Sequence, residues 1–526
     1  MRRDPANERH ILAIDLGTGA LKAALVSRSG ELRAGAIRRI RTRELPGGGA
    51  EQDPGEWWSA LCSATREALQ ASGLAPGAVC AIRCVTQWAV TVPVDRAGQA
   101  LTPAISWMDT RGGPYVRRLV GGPLRISGYG PLKLRRWISL TGGAPVRSGI
   151  DSLGHILYLK HERPEVYEAA HSFLEPMDYL NLRLCGRFAA SMGTIFPYWL
   201  TDNRDPSAID YHPTLLALAG VDRAKLPEIV PVDAVVGRLS DRAAGEVGLA
   251  AGTPVLAGTP DGQVAGVGAG ATGEGTGYFY VGTSSWMSCH APSKRTDLIH
   301  MVATMPSALP GRYVVTAEQG FAGRCLEFLK DNILYPPSAY PDGPPEDVHD
   351  VMEREAAAVP AGSEGLMFTP WINGVLVPRE DPRTRSMFFN QSWRTTRGHY
   401  VRAVMEGVAH NMRWLKPHVE RIASRRFEQL NFIGGGALSD LWCQIHADIL
   451  GCRVGQIANP RYANAVGAAL AGFHALGDLA LDELDGRVRV AAVYEPDGRN
   501  AELYASRQRE FLRLYRRNRA VYRRLN

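Results

Sequence analysis

Lysine is scarce in this chain. Only seven of its 60 basic residues are Lys, so a formal net charge of +7 rests almost wholly on arginine. The Arg-dense segments are 38–43 and 507–524. The second interleaves Phe511, Leu512, Leu514, Tyr515, Val521 and Tyr522 at helical spacing. That pattern predicts an amphipathic helix packed on the body, and no nucleic-acid partner is expected. No run approaches the ~18 uninterrupted apolar residues of a membrane span, so no membrane partner is expected. Met1–His10 is polar and lacks the apolar stretch of a signal peptide. None of the eight cysteines forms Cys-x-x-Cys. They read as reduced core thiols of a cytoplasmic protein. No His/Cys/carboxylate cluster has zinc spacing, and no Gly-x-Ser-x-Gly elbow is present. No Gly-Lys dipeptide occurs, which removes the Walker phosphate loop.

What is present begins at residue 11. Ile11–Ile14 is a short apolar strand that runs into Asp15 and the turn Gly17-Thr18-Gly19. Glycine permits the tight backbone angles of such a turn. Its bared amides suit a phosphate, and Asp15 is placed to hold a cation that bridges phosphate oxygens. Lys22–Val26 and Glu31–Ile37 follow as strands around Ser29-Gly30. The segment is therefore an antiparallel meander, not the strand-turn-helix of a dinucleotide fold.

At 526 residues the chain exceeds a single core, since cores stop growing near ~250–300 residues. The apolar strand Tyr278–Val281 enters Gly282-Thr283-Ser284-Ser285, like a second copy of the first turn. A third strand, Leu430–Ile433, enters Gly434-Gly435-Gly436 with a helix from Ser439. These repeats predict a duplicated domain whose halves face one nucleotide. The glycine-rich stretch 250–277, Gly275 included, reads as an ordered hinge region.

Other elements are legible locally. Asp53-Pro54 opens a helix. Val79–Val85 and Thr91–Val94 read as strands, His155–His161 and His399–Lys416 as helices, and 335–348 as a surface loop. Pro-Asp-Gly occurs three times, at 260–262, 341–343 and 496–498. Only the first follows a buried strand and precedes a glycine-rich helix. Asp261 there is the candidate to accept the proton of a hydroxyl attacking a phosphoryl group. Gln87-Trp88, between two apolar strands, is either a turn with a core Trp or a wall that binds sugar. Asp109 and Arg111 are either a structural pair or hydroxyl ligands.

The ordered set of motifs resembles the FGGY carbohydrate kinases, a group that includes xylulokinase, gluconokinase and glycerol kinase. The likeness runs over residues 10–515. It rests on Ile14–Thr18, Glu51–Pro54 with Trp57-Trp58, Pro103–Trp107 with Asp109 and Arg111, and Thr259–Gly262. Val281–Ser284, Ile433–Ala437 and Ala465–Ala469 complete it. The resemblance implies an α/β protein of two ribonuclease H-like domains, of the actin/Hsp70/sugar-kinase type, with a cleft between them. Residues 9–258 would form the sugar side, 259–490 the nucleotide side and 491–526 a helical tail. It implies ATP and Mg²⁺ as cofactors, a sugar or polyol as substrate, and a possible homodimer.

Carried over by position, Asp261 is the general base and Asp15 lies near the metal. Thr18, Gly19, Lys22, Thr283, Gly323, Glu327, Gly436 and Asp440 fall on the nucleotide side. Gln87, Trp88, Ala89 and Asp109 fall on the substrate side. The nominal reaction is D-xylulose to D-xylulose 5-phosphate. Glycerol, erythritol, ribulose and gluconate are alternative substrates, and a sensor without transfer is the rival from another class. Four departures bear on this. Xylulokinases have Gln-Met-His where this chain has Gln87-Trp88-Ala89. Their Gly-Glu-Arg-Thr-Pro is here Gly374-Val-Leu-Val-Pro378. His155 stands for a Lys of the first signature, and Asn390 for a Gly of the second. They leave the phosphate turns intact, so a kinase with an altered substrate is expected.

Overall fold

A computed structural model describes residues 8–126, 128–205, 207–273, 276–297 and 299–526. Gly275 of the predicted hinge lies outside them. Two sheets share one plan. In the first, β1 (His10–Leu16), β2 (Ala20–Ser27) and β3 (Leu32–Arg39) form the expected antiparallel meander. β4 (Val79–Thr86) lies parallel to β1, and β6 (Pro254–Pro260) parallel to β4. β5 (Val235–Arg238) closes the far edge antiparallel.

The second sheet repeats the arrangement. β7 (Gly277–Val281) and β8 (Ser284–Ala291) form the hairpin, and β11 (Tyr313–Thr316) continues it antiparallel. β9 (Thr296–Asp297) and β10 (Val302–Pro306) extend that side, and β12 (Glu318–Phe321) pairs with β8. On the other side β13 (Gln429–Ile433) and β14 (Arg453–Ile457) run parallel to β7, and β15 (Val490–Tyr494) caps the edge antiparallel. The duplication expected from the glycine turns is thus a duplication of sheet topology. β6 spans the boundary expected at 258/259, and β15 spans the one at 490/491.

The helices that follow the equivalent strands β6 and β14 trade places. α2 (Asp261–Gly268) leaves the first sheet, yet its Ala265 packs with Tyr278, Ile433 and Ile457 of the second. α6 (Ala463–Ala475) leaves the second sheet, and its Ala465, Ala469 and Phe473 pack on Ile11, Ala13 and Leu256 of the first. The two helices meet with bare backbone. A Cβ on Gly268 would lie 1.8 Å from the Ala463 carbonyl oxygen, and one on Gly467 would lie 2.6 Å from the Gly268 nitrogen. Side chains of any size would force the crossing apart.

The remaining helices serve the outer faces. α1 (Pro54–Ser72) starts as predicted, with the Asp53 carboxylate accepting from the Gly55 amide. α4 (Arg397–Ala423) runs past the end expected at Lys416, with Pro417 inside it. Pro417 faces solvent while Val419 and Ile422 are buried, so core burial carries the helix through the missing N–H. α7 (Ala501–Leu525) buries Phe511 and Tyr515 against Trp371, with ring centroids 5.1 and 5.5 Å away. Arg509, Arg513, Arg516, Arg517, Arg523 and Arg524 are exposed, whereas Arg519 Nε pairs with the buried Asp381 at 3.2 Å. No helix among the described residues is long and apolar enough to cross a membrane. All eight cysteines are free thiols.

The crossing yields a stability test. Gly268→Ala should destabilise the protein by about 1–3 kcal/mol, the usual cost of overpacking, read as a lowered urea midpoint. An unchanged midpoint would mean that the helices have slack.

Candidate active site

The β1–β2 turn is a tight hairpin, with the Gly17 amide donating to the Ala20 carbonyl at 2.9 Å. Cross-strand pairing sets Asp15 opposite Lys22. Their side chains meet: Lys22 Nζ lies 2.7 Å from Asp15 Oδ2, and Asp15 is 2% exposed. Burial pulls the ammonium pKa down, but Asp15, Tyr280 and Asp261 outweigh it, and the net shift is upward. Lys22 therefore stays charged.

Asp261 opens α2 at the end of β6. It borders a cavity between the two sheets. Thr18, Gln87, Trp88 and Trp107 line the cavity from the first half, and Ser284, Trp286, Met305 and Glu318 from the second. The Gly262 amide donates to Asp261 Oδ1 at 2.7 Å. Burial and the neighbouring carboxylates of Asp15 and Glu318 nevertheless lift its pKa from 3.8 to about 7, against the opposing pull of the Gly262 amide and Lys22. A carboxyl titrating there is matched to taking a proton at neutral pH. Burial also raises Glu318, which bonds Ser284. A larger cavity of about 490 Å³ opens elsewhere, beside Arg118, Lys133, Arg136 and Trp137. It carries neither a carboxylate nor a glycine turn. The smaller one, about 100 Å³, is the one that Asp261 and Glu318 border.

The substrate-side candidates divide. Trp88 lines the cavity and stacks obliquely on Phe196, centroids 5.8 Å apart. Ala89 is buried with φ +55°, in the left-handed region that residues with a Cβ rarely adopt. The Glu175 carboxylate accepts from the amides of Ala89 and Val90 and so holds this turn from inside. Gln87 touches the cavity, but its amide is already engaged. Its Oε1 accepts from Thr18 Oγ1 at 2.8 Å, and its Nε2 donates to Gln52 Oε1 at 2.7 Å. Thr18 Oγ1 also accepts from Trp107 Nε1 at 3.0 Å. Trp107, Thr18, Gln87 and Gln52 thus form one chain of hydrogen bonds that fixes the first turn.

Asp109 departs from the expected hydroxyl contact. It is fully buried. Its Oδ2 accepts from the Ala50 amide at 3.0 Å and from Arg111 Nε at 2.8 Å, and its Oδ1 from the Arg111 amide at 2.9 Å. Three protein donors hold the buried carboxylate. The structural-pair alternative is the one the geometry realises. His155 is likewise internal, bonded to Thr91 Oγ1 at 3.1 Å, and burial lowers its pKa to about 4.

On the second sheet the nucleotide-side candidates converge around Gly282. Thr283 is exposed at the β7–β8 turn. The Gly323 amide, opening α3 (Gly323–Leu329), donates to the Gly282 carbonyl at 2.7 Å, and the Ala322 amide to the Thr283 carbonyl at 3.0 Å. A Cβ on Gly323 would lie 2.4 Å from the Gly282 oxygen. Gly436 abuts Val281, where a Cβ would fall 2.9 Å from Cγ1. Glu327 and Asp440 are engaged with protein partners. Glu327 pairs with Lys330 and lies 3.5 Å from His349 Nε2. Asp440, exposed at the start of α5 (Asp440–Leu450), accepts from Tyr494 at 2.8 Å and from Gln456 at 3.1 Å. Gly19 lies in the turn itself, across which the Ile40 amide donates to its carbonyl at 3.1 Å.

Sequence reasoning missed Glu318 and Trp286. Period-two alternation from Ser284 puts Trp286 on the same face, so that signal was available. Nothing in the sequence marks Glu318, because the strands that carry it to the cavity are remote pairings.

Two glycine hairpins on duplicated sheets, with a carboxylate between them, define a two-domain nucleotide-cleft phosphotransferase. The sequence comparisons refine this. The N-terminal domain model of the FGGY family of carbohydrate kinases matches residues 10–268, and the C-terminal domain model matches residues 277–476. The chain belongs to that family and is an ATP-dependent carbohydrate kinase. It is 26% identical over 509 residues to a xylulose kinase of Bacillus subtilis, covering 94% of each chain. It is 26% identical over 471 residues to an autoinducer-2 kinase of Klebsiella pneumoniae, covering 88% of this chain and 85% of that one. A gluconate kinase structure from Lactobacillus acidophilus superposes with a TM-score of 0.82 at 20% identity, covering 99% of this chain and all of that one.

The site makes a pH prediction. With Asp261 as base, kcat/KM for the free enzyme should fall tenfold per unit below about pH 7 and level off above it. A profile that breaks only near pH 4 would contradict the elevated pKa. The linkage sign offers a second readout. A carboxyl raised from 3.8 to about 7 withdraws stability as pH rises through that window. Asp261→Asn should therefore melt at a higher temperature than the parent at pH 8.

Proposed function

We propose that the protein transfers the γ-phosphoryl group of ATP to a hydroxyl of a ketopentose or related polyol, nominally D-xylulose to D-xylulose 5-phosphate. The observation that carries this reading is Asp261, titrating near neutrality in the cavity between the two glycine hairpins. Asp261 takes the proton of the attacking hydroxyl. The turns at Thr18-Gly19 and at Thr283 face the phosphates from opposite sheets, and the charged Lys22 adds positive potential. Trp88 and Trp107 offer apolar walls to the carbon face of the sugar. Closure of the halves about the α2–α6 crossing keeps out water, which would compete as acceptor.

The residues fit Mg²⁺. Asp15 Oδ2 is engaged with Lys22 while its second oxygen accepts no hydrogen bond among the described residues, and Mg²⁺ favours one or two carboxylates together with phosphate oxygens. Asp15, with Asp261 nearby, would hold the ion, which shields the charge of the transferred group.

ADP release over a panel of ketopentoses, polyols and sugar acids tests the proposal. Release with one of them identifies the substrate, and Asp261→Ala should then cut turnover by ~10²–10⁴. Binding without release marks a sensor. Unchanged turnover in the variant removes Asp261 from the role of base.

A further inference from the structure

The cavity walls carry charge of one sign, which bears on the acceptor if the kinase reading of the same site holds. Asp261 and Glu318 both face the cavity, and among the described residues no Lys or Arg lines it. Cations on the adjoining segments are already paired. Lys22 is held by Asp15. Arg111 donates Nε–H to Asp109 at 2.8 Å, Nη2–H to Glu51 at 2.7 Å and Nη1–H to Tyr158 at 3.1 Å. The remaining walls are largely apolar, with Trp88, Trp107, Trp286 and Met305 among them.

A carboxylate brought into this space would face two acidic side chains with no free counterion, where water screens poorly. A neutral polyol meets no such penalty. Its hydroxyls reach Asp261, Glu318 and Ser284, and its C–H faces lie on the indoles. Asp261 is required by the transfer itself, so the discriminating charge is that of Glu318. β12 presents it into the cavity beside Ser284, across the β8–β12 pairing of Ser284 with Phe321 and Trp286 with Glu318.

We infer that Glu318 is a charge filter that restricts this kinase to neutral polyols and ketoses and rejects the corresponding sugar acids. A gluconate-type substrate is thereby disfavoured. The filter acts on the part of the substrate inside the cavity and leaves the nucleotide side untouched.

The test uses matched pairs that differ by one terminal carboxylate: xylitol and D-xylonate, D-glucitol and D-gluconate, glycerol and glycerate, with D-xylulose and D-ribulose as further neutral probes. Binding to the full-length protein is measured calorimetrically at pH 8, and ADP release is measured beside it. The neutral member of at least one pair should bind at least ~100-fold more tightly than its acid. Glu318→Gln should narrow that gap to less than ~10-fold while keeping the parental melting transition. Equal affinity for acid and neutral members overturns the inference. So does a gap that survives Glu318→Gln, or the failure of every neutral probe to bind. A charge gap without ADP release from any probe supports the filter and overturns the transfer reading, which separates the two.

Discussion

Two helices cross with nothing but backbone between them, and the active site hangs on that crossing. Gly268 and Gly467 leave no room for a side chain. α2 is pressed between the halves, and Asp261, its first residue, is delivered to the cavity from the end of β6. Because α2 belongs to the first sheet by chain order and to the second by packing, the carboxylate is anchored to both halves. A base that must meet a hydroxyl from one half and a phosphoryl group from the other gains most from such a double anchorage.

Charge is the second constraint. Asp15, Lys22, Asp261 and Glu318 gather where the sheets face each other, three acids to one base. Burial first, and then this imbalance, raises the Asp261 pKa, and the imbalance leaves room for positive charge to arrive with the nucleotide. The same imbalance bears on the sugar side, where a second negative group has nothing to neutralise it. On the proposed reading, one electrostatic arrangement would tune the base, suit a divalent cation and set the charge of the acceptor.

The parts of this site that were legible in the sequence are those where chemistry demands a particular residue locally. Gly17, Gly19 and Gly282 mark tight turns at strand ends, and the strand-then-helix context singled out Asp261 from two other Pro-Asp-Gly copies. The duplication was legible for the same reason, because the strands entering both Gly-Thr turns repeat. What was not legible depended on distant partners. Asp109 reads either as a structural partner of Arg111 or as a hydroxyl ligand until Ala50, 59 residues away, also claims its carboxylate. Gln87 reads as a hydroxyl ligand until Gln52 and Thr18 occupy its amide. Pro417 reads as a helix end because local propensity says nothing of the core that buries Val419 and Ile422. Glu318 reaches the cavity only through strand pairings that no local pattern records.

A crystal structure of the protein with a non-hydrolysable ATP analogue, Mg²⁺ and its polyol tests the central claim most directly. The account predicts an Asp261 carboxylate oxygen within about 3.2 Å of one substrate hydroxyl, with the γ-phosphate in line between the Gly17–Gly19 and Gly282–Thr283 turns. A polyol seated away from Asp261, or a nucleotide whose phosphates touch neither turn, would contradict it.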